Sequence, residues 1–162
     1  MTLTGNDLRI GNLFEIDNPK YRPDKHGEIC VVIGIDTTRL DKLFKSGTTV
    51  LLHAQNDEYK DSFGQYIEFL KPIPLTEEWH NKFGVKLDGF GSFRYVLPKS
   101  MSQKVTVMFS GDYVFLRQGE PNKIDNDLVS VWNKDIIKRD MFVHEWQNLY
   151  FSLTGEELEF NS

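Results

Sequence analysis

Near its C-terminus the chain places Phe142, Trp146, Leu149 and Leu153 at successive intervals of four, three and four residues, the spacing that brings side chains onto one face of an α-helix. Val143 and Tyr150 widen the stripe, Asp140 is positioned to cap its start, and Gly155 supplies a stop. An apolar face this broad has to be covered, so the segment predicts a helix lying across a second layer. It also predicts that the helix is integral to the fold, and that truncation before Asp140 abolishes folding. Trp146, Tyr150 and Phe151 cannot all turn to one core, because neighbouring helical residues diverge by about 100°. At least one of them should face a rim or a partner.

The covering layer is legible upstream as short strands. Residues 10–16 are strand-like, with Gly11 a bulge or close-approach point. Residues 28–36 form a β-branched run suited to a central strand, and residues 48–54 and 65–71 supply two more, the last ended by Pro72 and Pro74. Four or five short strands with a long first connection suggest an SH3-like or otherwise highly curved barrel. A short helix follows over residues 76–84, with Thr76 as cap, Glu77 and Glu78 at its positive end, Trp79 and Phe83 on one face, and Gly84 as its stop. Residues 91–97, 104–109 and 113–117 then form a second β-meander turning at Ser110-Gly111-Asp112. A polar loop over 118–126 and a strand over 128–132 precede the last helix. The expected class is α+β, a mostly antiparallel framework with two helices. It forms a single domain over 1–162, with possible lobes 1–75 and 85–162 joined by helix 76–84.

At 162 residues a chain buries roughly 70% of the surface its unfolded form exposes, enough for a core without staples. The lone Cys30 forms no intramolecular disulfide and fits a small buried hydrophobe. No run approaches the ~20 apolar residues of a membrane span, which with the absence of a signal sequence suggests a cytoplasmic protein and no membrane partner. The net charge of −5, from 24 acidic and 19 basic side chains, disfavours non-specific attraction to nucleic acid and is too mild for nucleic-acid mimicry.

Catalytic chemistry is sparse. His26, His53, His80 and His144 show no metal-ligand spacing with one another or with Cys30, so no metal or cofactor is expected, and His144 is expected at a surface or rim. Ser110 lies in a hairpin turn rather than a nucleophile elbow. Gly89-Phe90-Gly91 lacks the helix a phosphate loop needs. No catalytic residue is identified, and the expected class is a non-enzymatic binding protein.

Three blocks carry a family resemblance. Leu8-Arg9-Ile10-Gly11-Asn12, then Pro72-Ile73-Pro74-Leu75-Thr76-Glu77-Glu78-Trp79, then Val143-His144-Glu145-Trp146-Gln147-Asn148-Leu149-Tyr150 onward to Leu158 resemble the LRIGN, PIPLTEEW and VHELQNLYFALTGEEL motifs of a largely uncharacterised family of small proteins from Bacteroidetes, their phages and prophages. The resemblance implies a phage or mobile-element protein acting in the bacterial host by binding a host or phage macromolecule. Its most concrete form is an inhibitor of a host defence nuclease, of the anti-CRISPR type. Two departures stand out: His80 and Asn81 replace apolar residues, narrowing the buried stripe of the middle helix, and the connection over residues 17–27 is longer than the family's.

That connection is the main candidate site. Lys20, Tyr21, Arg22, Lys25 and His26 set cations beside an aromatic, the mixture that contacts phosphates and stacks bases, so a nucleic-acid-binding module is the alternative function. Trp146, Tyr150 and Phe151 form the second candidate surface. Because loop insertions cost little closure entropy, replacing Tyr21, Arg22, Lys25 and His26 together by alanine is expected to leave stability nearly unchanged.

Overall fold

The computed structural model describes residues 3–36, 48–54, 62–89, 91–97, 105–110, 113–118 and 141–160. Gly111 and Asp112 of the expected turn, the loop beyond Gln118, the strand expected at 128–132 and the Asp140 cap lie outside them. The fold is α+β: strands in antiparallel sheets, one of them a half-barrel, with two α-helices. The chain divides into two compact units, residues 1–74 with 142–148, and residues 75–141 with 149–162.

The first unit is built on a five-stranded sheet. Its strands are β1 (Leu13–Ile16), β2 (Ile29–Asp36), β3 (Thr49–Ala54), β4 (Ser62–Tyr66) and β5 (Leu70–Lys71), in the spatial order β4-β3-β2-β1-β5. β4 and β5 are opposite edges, yet only a 3-10 turn over Ile67–Phe69 joins them. Flat, the edges would stand about 19 Å apart, four gaps of about 4.8 Å. Four residues of extended chain reach at most about 14 Å, so the sheet has to curl. The β2–β3 register slips between Val32 and Gly34, a bulge that adds local twist. Gly34 sits where a Cβ would stand 3.4 Å from that of Leu51.

Alternation fills the concave side. Phe14 and Ile16, Cys30 and Val32, Val50 and Leu52 join Leu3, Leu8, Ile67 and Leu70 in one buried cluster. Burial, reinforced by the Glu28 charge, pushes the Cys30 thiol up to about 11, so it stays protonated and unreactive at neutral pH.

The second unit carries α1 (Glu77–Lys82) and the meander β6 (Ser92–Val96), β7 (Val105–Ser110) and β8 (Tyr113–Gln118), ordered β6-β7-β8. Thr76 occupies the N-cap position of α1 but its side chain makes no capping bond. Gly84, at φ 76°, ends α1 in the left-handed region, with the Gly84 and Val85 N–H groups donating to the Asn81 and His80 carbonyls. The expected narrowing of this helix is corrected in part: Asn81 is exposed, but His80 is as buried as Trp79. Its ring stacks on Phe93 at 4.0 Å and tilts against Phe109 at 4.8 Å. A hydrogen bond of 2.8 Å joins Nδ1 to the Tyr95 hydroxyl, either group being able to donate. Burial depresses the imidazole to about 4.

α2 (Val143–Thr154) starts three residues after Asp140, the Phe142 N–H donating to the Glu145 carboxylate at 3.0 Å. Its most buried residues are Val143, His144, Trp146 and Gln147. Phe142, Leu149 and Leu153 are only partly buried, so the closed face is rotated from the apolar stripe onto two polar side chains.

Candidate functional site

The connection over residues 17–28 is a chain of turns held from below. Asn18 is buried, and its side-chain oxygen accepts from the Tyr21 N–H at 3.1 Å while its carbonyl accepts from Arg22 at 3.0 Å. Lys25 N–H returns to the Arg22 carbonyl, Glu28 N–H to the Lys25 carbonyl, and Gly27, at φ 83°, donates to Ile16. The Tyr21 ring meets Phe69 edge-on at 6.0 Å. Arg22 and Lys25 lie over the Phe63 ring at 5.0 and 5.8 Å. Arg22 and Lys25 thus rest on a ring of β4, while Tyr21 touches only the edge of Phe69 in the 3-10 turn.

The charges are arranged within the loop as well. Arg22 pairs with Asp24 at 3.5 Å, Lys25 with Glu28 at 3.2 Å, and His26 lies 3.6 Å from Asp17. Lys20, Arg22 and Lys25 are thus matched in number by Asp17, Asp24 and Glu28. Lys20 alone of the three cations has no carboxylate beside it among the described residues; its ammonium stands 4.9 Å from the centre of the Tyr21 ring. Tyr21 remains 57% exposed. A large aromatic is therefore displayed to solvent on a backbone held by the Asn18 side chain, with its ring against Phe69.

Of the second group of candidates, Trp146 is fully buried and in this fold cannot meet a partner. Tyr150 and Phe151 are half-buried. Tyr150 lines an open pocket of about 590 Å³ with Phe83, Leu158 and Glu156, Glu157 and Glu159. Its hydroxyl is pushed up by burial, and further by Glu156 and Glu159, an acidic setting that repels phosphate.

Neither a family model, nor a curated protein, nor a solved structure matches the chain.

The motif blocks have a structural explanation. Gln147 is buried; its side-chain oxygen accepts from the Leu13 N–H at 3.0 Å and its amide donates to the Gly11 carbonyl at 3.0 Å. One side chain thereby makes the bonds that a neighbouring strand would make, where β5 is too short to reach. Gly11, at φ 92°, turns its carbonyl into this position. Asn12, also buried, donates to the Asn148 side-chain oxygen at 2.9 Å and accepts from the Arg9 N–H at 2.7 Å; Asn148 in turn donates to the Asp7 carbonyl at 3.2 Å. Val143 N–H bonds the Ile73 carbonyl at 2.8 Å, beside a Pro74–Phe142 bridge. All three blocks meet along the first half of α2.

The rim expectation for His144 is corrected. His80 is buried, and so is His144, which packs on Phe14 at 4.8 Å and Phe142 at 6.0 Å; neither is at a rim. Among the described residues no group of three or more His, Cys, Asp or Glu side chains could hold a metal, and no helix is long and apolar enough to cross a membrane.

Proposed function

We propose that the protein is a binding protein that docks a protein partner on the turn over residues 17–28, with Tyr21 as the anchor. The observation that carries this reading is the display of Tyr21, exposed on a backbone held by the Asn18 side chain with its ring against Phe69. An aromatic that is already ordered gives contact area with little further loss of side-chain entropy on binding. Tyrosine is also over-represented among the residues that dominate interface energies. Nucleic acid is the less favoured ligand, because the loop's cations are matched by carboxylates and two of them are already committed to ion pairs and to Phe63. Phosphate binding requires several uncompensated cations.

The resemblance to phage and prophage proteins supports a partner in the bacterial host, a defence nuclease complex being the most concrete class, held by occupancy rather than by a reaction. The test is affinity capture from a Bacteroidetes host lysate with the parent protein and with a Lys20→Gln/Tyr21→Ala variant of equal melting temperature. A partner retained by the parent through 0.5 M salt and lost by the variant is the expected result. Capture of the same partner by both proteins removes the loop from the reading, and loss of the parent's partner on nuclease treatment restores nucleic acid as the ligand.

A further inference from the structure

Building on that reading of the loop, we infer that the Lys20–Tyr21 tip receives a single acidic side chain, presented next to an apolar one by the protein partner. The chemistry is set by what the tip leaves open. Among the described residues the Lys20 ammonium has the Tyr21 ring as its only partner, and the Tyr21 side chain makes no hydrogen bond. Both are donor heads, and the ammonium adds one full charge. An isolated carboxylate is the matching group: one negative charge and two acceptor oxygens, with a charge-assisted bond stronger than a neutral one. Beside it the exposed ring of Tyr21, braced edge-on by Phe69, offers an apolar wall for the neighbouring side chain.

The surroundings limit the ligand to one charge. Asp17, Asp24 and Glu28 stand in the same turn, with Asp17 and Asp24 exposed. A ligand with negative groups in series, such as a nucleic-acid backbone, meets these carboxylates after its first contact. A lone Asp or Glu flanked by apolar residues does not.

Selection of displayed random dodecapeptides on the parent protein, with counter-selection on Lys20→Gln/Tyr21→Ala, tests this without knowing the natural partner. The expected winners share an Asp or Glu adjacent to a large apolar residue. For a synthetic winner, changing the acid to its amide and changing Lys20→Gln should each weaken binding at least fivefold at low salt, and the two changes together no more than either alone. A ten-nucleotide oligothymidine should bind more weakly than the winner. Winners that need Tyr21 but carry no acid overturn the inference and leave the docking reading standing. Winners that bind parent and variant equally overturn both. Tighter binding of oligothymidine overturns the choice of a protein carboxylate.

Discussion

The turn over residues 17–28 and the helix α2 look alike in the sequence, since each groups aromatic, charged and histidine residues in a short span. In the structure they are opposites. The helix turns its polar groups inward, Gln147 onto strand backbone and His144 onto Phe14, and encloses Trp146 completely. The turn faces its carboxylates and cations toward one another and leaves Tyr21 in solvent. Chemical composition therefore did not separate scaffold from surface; the location of hydrogen-bonding partners did.

The sharpest way to break the contrast is Trp146→Ala. A buried indole replaced by a methyl group is expected to cost about 3–5 kcal/mol, comparable to much of a domain's net stability, and denaturant melts will read it. A fall below about 1 kcal/mol would mean that α2 is not the scaffold described.

His80 extends the same contrast to α1. Its imidazole titrates at about 4 in the folded chain against an ordinary 6.5. Between those values the unfolded chain binds more protons than the folded one, so stability falls as pH drops from 6.5 toward 4 and levels off below. The full loss is on the order of 3 kcal/mol. A His80→Leu variant should lose that slope in melts recorded from pH 7 to pH 4; an unchanged slope would assign it to other groups.

Gln147→Leu keeps an apolar helix face but strands the Leu13 N–H and the Gly11 carbonyl, at an expected cost of about 2 kcal/mol. Hydrogen exchange should quicken at Leu13 more than at β3. Smallest of all, Lys20→Gln/Tyr21→Ala should shift stability by less than about 0.5 kcal/mol. A larger shift would place Tyr21 with the scaffold and sharpen the contrast in the helix's favour.

The legible part of the fold follows from local rules. A strand-like segment and a β-branched run marked the strands on either side of the first turn, the Gly84 stop needed only a left-handed residue, and the curl was foreshadowed by several short strands in series. The divergence of Phe151 from Trp146 and Tyr150 also follows from helical geometry. What stayed hidden depends on partners far along the chain. His80 at a buried position looks like a surface residue until Tyr95 and Phe93 are placed against it. Gln147 and Asn148 look like a solvated helix face until Gly11, Leu13 and Asn12 are brought to them. In the turn, composition pointed to Lys20, Tyr21, Arg22, Lys25 and His26 as a group. Only the ring of Phe63 divides that group, taking Arg22 and Lys25 to clamp the loop and leaving the Lys20–Tyr21 pair displayed.

The Gln147 amide that finishes β1 has a consequence for how the chain is made. Leu13 waits 134 residues for its hydrogen-bond acceptor. At ribosomal rates of about 5–20 residues per second, that is an interval of about 7–27 s during which the first strand is already synthesised and its edge is open. The N-terminal half-barrel can assemble early, but its first strand is sealed only by a segment translated 134 residues later, so a product terminated before α2 carries an unfinished strand edge that exposes it to aggregation and proteolysis.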